Sequence, residues 1–226
     1  MATHQNLMGV SDDDFVQRIA STHGDRFGPD FWMFFEAQIA PLVPPKPVIV
    51  DLGCGPGLLL RDLSERYPQA RLYGYDVTPA MIAYGQQLPS SGNKPTLALH
   101  DVATDPLPHD SGTVDLVTMN SVLHVFDEPL PVLAEIRRML APQGCFLLHD
   151  WVRMLLPTYL AWRLERQGED PAACQQRGFR LFPVHCKYTV EDWHWLLAEA
   201  GFALRTQTQL RPTHRLFVAT ARPAQT

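Results

Sequence analysis

A chain of 226 residues that is 46% apolar and 19% charged can bury most of what its unfolded state exposes, which excludes collagenous and disordered classes and removes any need for disulfide or metal staples. Its four cysteines, Cys54, Cys145, Cys174 and Cys186, form no CxxC pair, so a zinc ribbon or secreted disulfide framework is not expected and a reducing compartment is. The net charge is −5, with the bases scattered along the chain; a nucleic-acid partner, whose phosphates call for a basic stripe, is not expected.

The first residues, MATHQNLMGVSDDDF, carry acids where a signal peptide carries bases, and no apolar run approaches the roughly 18 residues of a membrane span. A cytoplasmic protein without a membrane partner is the expectation. Residues 1–46 read as a helical lid segment bearing Phe15, Phe27, Phe31, Trp32, Phe34 and Phe35, and the proline-rich PLVPPKP at 41–47 reads as a linker into a domain over 47–226.

From 47 to 150, apolar runs of strand length alternate with helix-period segments, the pattern of a parallel sheet with crossover helices. Val48 to Leu52 is an unbroken run rich in β-branched residues, as a strand covered on both faces requires. A helix over Leu59–Tyr67 stops at Pro68, and a second strand covers Leu72–Asp76. Thr78 as cap and Pro79 at the first helical position start the next helix. Strands three and four are Thr96–His100 and Val114–Met119. Leu133, Ile136 and Leu140 mark a helix over 132–140 that Pro142 and Gly144 end, before strand five at Cys145–Leu148.

Residues 151–187 break this rhythm. WVRMLLPTYLAWRLERQG has helical spacing and large side chains where a short crossover would suffice, so it reads as an inserted helical lid. Thr189 and Asp192 form a capping box for a helix ending at Gly201, and Phe202–Thr208 and Leu216–Ala221 are two last strands around the Pro212 turn. The expected fold class is α/β: a doubly wound, seven-stranded, mostly parallel, Rossmann-like sheet with N-terminal helices and a helical insertion after strand five.

The segment most informative about function is VIVDLGCGPG, residues 48–57, a strand running into glycines at alternate positions before a helix. Gly53, Gly55 and Gly57 permit a tight turn and let a ligand press against backbone with no Cβ in the way. A dinucleotide fingerprint would place glycine where Leu58 stands, Pro56 removes an amide that a phosphate would want, and Asp51 is adverse to a pyrophosphate. A cationic ligand suits the turn better, and an NAD(P)-dependent oxidoreductase is the weaker alternative.

On these residues the chain resembles the class I methyltransferases that use S-adenosylmethionine, over roughly residues 47–150, with the last two strands consistent. The resemblance implies that Asp51 and the turn Gly53, Cys54, Gly55 and Gly57 cradle the amino-acid end of the cofactor. It implies that Asp76, in LYGYDVTP, takes both ribose hydroxyls, which one carboxylate has lone pairs enough to do. Val77 and Met81 would pack on adenine, Asp101 and Val102 would meet its edge, and Asn120 would flank the methionine moiety. Each polar residue alone also suits a strand-end turn; their succession at consecutive strand ends carries the reading.

A small-molecule methyl acceptor is the implied partner. Phe27, Trp32, Phe35, Trp151, Tyr159 and Arg163 are the candidate acceptor wall, with Arg163 or Arg153 suited to a carboxylate, and most of the aromatics equally suited to filling the lid interface. His124, in NSVLHVF, is the first candidate base, with a satisfied structural histidine as its other reading. His149 and Asp150 at the end of strand five are further catalytic candidates. The nine histidines show no HxxxH or HExxH spacing, so no metal is expected. A cofactor-binding module without turnover is the alternative from outside enzymology, and oligomeric state is not legible.

Overall fold

The computed structural model describes residues 9–167 and 170–222. Strand β1 (Val48–Leu52) is buried at all five positions, because it lies in the middle of the sheet with a parallel neighbour on either side. These are β2 (Arg71–Asp76) and β4 (Val114–Asn120). Outward from them lie β3 (Thr96–Leu99) and β5 (Leu140–Trp151). An antiparallel pair, β6 (Phe202–Arg211) and β7 (His214–Ala221), completes the order β3-β2-β1-β4-β5-β7-β6. The seven strands are thus mostly parallel and doubly wound, as expected.

The period of two along β1 sorts its side chains into two cores. Val48, Val50 and Leu52 face helices α6 (Pro129–Met139) and α9 (Val190–Glu199) through Leu133, Ile136, Trp193 and Leu197. Ile49 faces the other way, onto α3 (Pro29–Gln38) and α4 (Leu58–Arg66), where Phe31, Phe35, Leu60 and Leu63 are buried. The aromatic N-terminal segment is therefore partly core. Ahead of α3 stand α1 (Asp12–Ser21) and the single turn α2 (His23–Arg26), and α5 (Pro79–Gln86) links β2 to β3.

Two local readings change. The sequence places a Pro142–Gly144 turn before a short strand, whereas α6 stops at Met139 and β5 runs from Leu140 to Trp151. Leu140 pairs with Val114, the register then shifts, and Cys145 pairs with Leu116, so proline and glycine sit in an irregularity where the ladder is already interrupted. Thr78 does stand at the N-cap of α5 without capping it; its hydroxyl serves Asp76 instead. By contrast the Thr189–Asp192 box forms in full. The insertion is a pair of helices, α7 (Leu156–Gln167) and α8 (Pro171–His185). They approach so closely that a Cβ on Gly178 would lie 2.5 Å from Leu160 Cδ2.

Candidate active site

β1 leads to β2 on one side of it, while β4 flanks it on the other, and the crevice beyond the carboxyl ends of these strands is where this architecture opens to ligands. A cavity of about 300 Å³ occupies that position, walled by the β1–α4 turn, the ends of β2 and β4, helices α1 and α2, and residues of the insertion.

One end of the cavity is acidic. Gly53 and Cys54 donate their amides to Tyr75 O at 2.8 and 3.0 Å, folding the turn back onto β2, and Gly53 and Gly55 hold φ of +67° and +53°. A Cβ on Gly53 would lie 2.4 Å from Val122 Cγ2, so that position takes no side chain without displacement. Asp76 accepts from Gly55 N and Thr78 N, one on each oxygen, both at 2.9 Å. Burial raises its ionisation above the ordinary carboxylate value, and these amides partly offset the shift. Asp51 is 2% exposed. Thr118 Oγ1 donates to it at 2.6 Å and Asn120 Nδ2 at 3.5 Å. Burial pushes it up to about 7, opposed by the Thr118 bond and reinforced by Asp76. Burial also raises the Cys54 thiol far above its usual value, so Cys54 is a neutral wall group.

The opposite end is aromatic and basic. Trp151, at the end of β5, stacks on His185 with ring centroids 3.9 Å apart and lies 4.2 Å from the ring of His214. Ser121, whose φ of +57° makes it the one non-glycine residue in the left-handed region among those described, places its Oγ 3.1 Å from His214 Nε2. Thr213 Oγ1 lies 2.8 Å from the other ring nitrogen. Burial first, and then the charge of Arg211, hold His214 well below its usual value, so it is a neutral imidazole. Arg163, 3% exposed, donates to Tyr159 Oη at 3.4 Å, and that hydroxyl lies 2.8 Å from His185 Nδ1.

The expected cofactor residues Asp51, Gly53, Cys54, Gly55, Asp76, Val77, Met81, Asp101, Val102 and Asn120 all line this cavity. Gly57 does not; its φ of +71° shapes the N-terminus of α4. Of the expected acceptor wall, Phe27, Trp151 and Arg163 line the cavity. Phe35 is 1% exposed in the core, Trp32 lies under the Arg66 guanidinium at 3.4 Å, and Tyr159 stands behind His185. The catalytic candidates lie just beneath the wall. His124 Nδ1 and Asp150 Oδ1 are 2.6 Å apart with both side chains fully buried. His149, also buried, is held neutral by burial first and then by Arg211 and Arg26; neither ring nitrogen has a hydrogen-bond partner among the described residues.

Sequence reasoning missed Arg18, His23 and Arg26 from α1 and α2, and Ser121, His185, Arg211 and His214 on the far side. No motif marks them. A polar residue directly after the Asn120 strand end was the one signal that pointed to Ser121.

This lining fits S-adenosylmethionine. Asp51 is a buried carboxylate facing the turn with neutral partners only, and Asn120 Oδ1 is buried with no hydrogen-bond partner among the described residues. Both are what a cationic amino-acid tail would satisfy. Asp76 keeps lone pairs for a diol. No group of three or more His, Cys, Asp or Glu among the described residues is arranged to hold a metal.

Comparison with known proteins agrees. The family described as a methyltransferase domain matches residues 50–146. A methyltransferase of Aspergillus campestris, ungE', is 29% identical over 184 residues, covering 78% of this chain and 52% of its own. A trans-aconitate 2-methyltransferase of Methylobacterium nodulans is 35% identical over 140 residues, covering 60% of this chain and 49% of its own. The chain thus spans about half the length of these curated relatives. A solved methyltransferase from Aquifex aeolicus described as SAM-dependent superposes with a TM-score of 0.67 at 18% identity, covering 93% of this chain and 98% of that one, a likeness of fold. Residues 50–146 thus match a methyltransferase domain, set in the fold of solved methyltransferases described as SAM-dependent.

Proposed function

We propose that the protein transfers the methyl group of S-adenosylmethionine to a nitrogen, oxygen, sulfur or activated carbon of a small molecule. The observation that carries this is Asp51, a buried carboxylate at a glycine turn with only a hydroxyl and an amide for company. The relative named as a trans-aconitate 2-methyltransferase supports a small acceptor. The four free, buried cysteines support a reducing, cytoplasmic setting.

When bound, the cofactor supplies an electrophilic methyl on a positive sulfur. Asp51 and Asn120 hold the ammonium end and Asp76 the ribose, while Val77, Met81, Asp101 and Val102 enclose the adenine. Ile19 lies beside the glycine turn, 3.7 Å from where a Cβ on Gly55 would be, so α1 roofs that end, and α1 and α2 bring Arg18 and Arg26 toward the tail's carboxylate. Arg26 already donates to Thr22 Oγ1 and Ile19 O, both neutral, and burial lowers its ionisation to about 10 despite Asp25 next to it. An anion there would restore it. Of the expected lid over 1–46, residues 1–8 lie outside the described residues; α1 and α2 act as the lid on the domain over 47–226, and with the insertion over 151–187 they exclude water, the competing acceptor.

His124 is the proposed base. Asp150 binds its Nδ1 and so directs Nε2 away from the carboxylate. His124→Gln is expected to lower turnover roughly 100-fold, with S-adenosylhomocysteine affinity unchanged. Wild-type turnover returns His124 to a structural role. Asp76→Ala is expected to weaken S-adenosylhomocysteine binding by about 1.5–3 kcal/mol, because charge-assisted bonds to the ribose are lost. Calorimetry with S-adenosylhomocysteine and with NAD tests the whole reading: binding of NAD alone would overturn it.

A further inference from the structure

The left-handed backbone of Ser121 carries strain that a glycine would not, and it stands in the cavity wall directly after the end of β4. Ser121 N donates to His149 O at 2.8 Å, which pins the bend. The bend brings Ser121 Oγ to 3.1 Å from His214 Nε2, and Thr213 Oγ1 lies 2.8 Å from His214 Nδ1. Thr213 and His214 are buried, whereas Ser121 is partly open to the cavity. Three polar groups thus form a chain that begins in the interior and ends where a ligand would lie.

This chain is laid out like the serine and histidine of a nucleophilic triad, and its direction decides what it can do. In a triad a carboxylate accepts from Nδ1–H, which leaves Nε2 to take the proton of the hydroxyl. Here the third member is a hydroxyl, and that reverses the chain. The Thr213 hydroxyl has one hydrogen-bond partner among the described residues, His214 Nδ1. Were Nδ1 protonated, the Thr213 proton would be buried with no acceptor, an uncompensated cost. Thr213 therefore donates to Nδ1. Burial, and then the charge of Arg211, hold His214 neutral, so its single proton lies on Nε2 and goes to Ser121 Oγ. Having accepted from His214, Ser121 keeps its own proton for the cavity.

We propose that Ser121 donates its hydroxyl hydrogen to an oxygen of the methyl acceptor, a carbonyl, carboxylate or phenolate oxygen at or beside the reacting atom, with Thr213 and His214 as the positioning residues that fix this direction. The place beside the methyl rests on the methyltransferase reading, in which the preceding residue, Asn120, flanks the methionine moiety. A donor already held by the folded wall meets the acceptor without a further ordering cost. An acceptor with no lone pair at that point leaves the Ser121 O–H unpaired in a site closed to water, and that loss is the source of selectivity.

Two measurements on the full chain test this. Heteronuclear NMR of histidine-labelled protein, with the His214 signals assigned by their loss in His214→Gln, should show His214 protonated at Nε2 alone; protonation at Nδ1 overturns the proposal. The second measurement is affinity, with and without S-adenosylhomocysteine, for a panel of small ketones, carboxylates and phenols, each beside the analogue in which that oxygen is replaced by hydrogen. At least one compound should bind tenfold or more tighter than its deoxygenated analogue. Ser121→Gly should cut that ratio to threefold or less. Its thermal midpoint should hold or rise, because the left-handed strain is gone, and its S-adenosylhomocysteine affinity should change less than twofold. Thr213→Val should lower the ratio as well and Thr213→Ser should restore it, whereas a merely structural Thr213 would change stability without moving the ratio. Should Thr213→Val fail to fold, Ser121→Gly decides. A ratio that survives Ser121→Gly, or a panel without an oxygen preference, overturns the proposal and leaves the methyltransferase reading intact as long as S-adenosylhomocysteine binds. A Ser121-dependent ratio in protein that binds no S-adenosylhomocysteine does the reverse.

Discussion

Asp51→Asn is expected to lower S-adenosylhomocysteine affinity by about 100-fold and, in the same protein, to raise the stability of the ligand-free fold at pH 8. The two effects share one cause. Asp51 is almost fully buried, with a hydroxyl and an amide as its hydrogen-bond donors, and burial holds its ionisation at about 7 instead of 3.8. Between those values the unfolded chain releases the Asp51 proton and the folded one keeps it, so stability falls as pH rises through the window. By pH 8 the penalty is on the order of 4 kcal/mol. A cation docked on the carboxylate removes the penalty, which is why the same side chain weakens the empty protein and strengthens the complex. Thermal unfolding of wild type and variant from pH 4 to 8 checks the first half: the stability difference should open in favour of Asn between about pH 4 and pH 7 and level off above that. Calorimetry across the same range checks the second, since wild-type affinity should drop below about pH 7 while the variant's stays flat. An Asn variant that binds as well as wild type would sink the ammonium assignment.

The acidic half of this site was legible in sequence because it is local. β1, the glycine turn and Asp76 lie within 48–76 and depend on short-range rules: β-branched residues in a doubly covered strand, positive φ at glycine, an acid at a strand end. The Thr189–Asp192 box was readable for the same reason. The basic half is assembled from distant segments. His214 and Arg211 reach the cavity because β7 inserts antiparallel between β5 and β6, which no short-range pattern reveals. His185 arrives by the length of α8 and its stacking on Trp151. Trp32 and Phe35 were read as wall for want of any rule that tells a lid aromatic from a core one. Both fill the α3–sheet interface, where Phe31 and Phe35 are 1% exposed. Pro142 and Gly144 suggested a turn, and a register shift in the ladder accommodated them instead.

Asp150 separates a chemical role from a supporting one. Its carboxylate accepts from His124 Nδ1 at 2.6 Å, from His124 N at 3.3 Å and from its neighbour Trp151 N at 2.7 Å, all in the interior. Asp150→Ala strands these donors and opens a hole beneath the cavity, so it is expected to cost about 3–5 kcal/mol of stability, as removal of one partner from a buried pair does. Asp150→Asn keeps the volume and one acceptor oxygen and should cost roughly 1–3 kcal/mol. Urea unfolding measures both. The next residue, Trp151, carries the His185 and His214 contacts, so loosening of the strand end should raise KM for the acceptor in proportion to the lost stability. If Asp150→Asn instead keeps its stability and its KM while kcat collapses, the pair acts on the proton and not on the wall. His124→Gln must then lower kcat by a similar factor, and the double variant by little more, because residues that act as a unit lose their effect together.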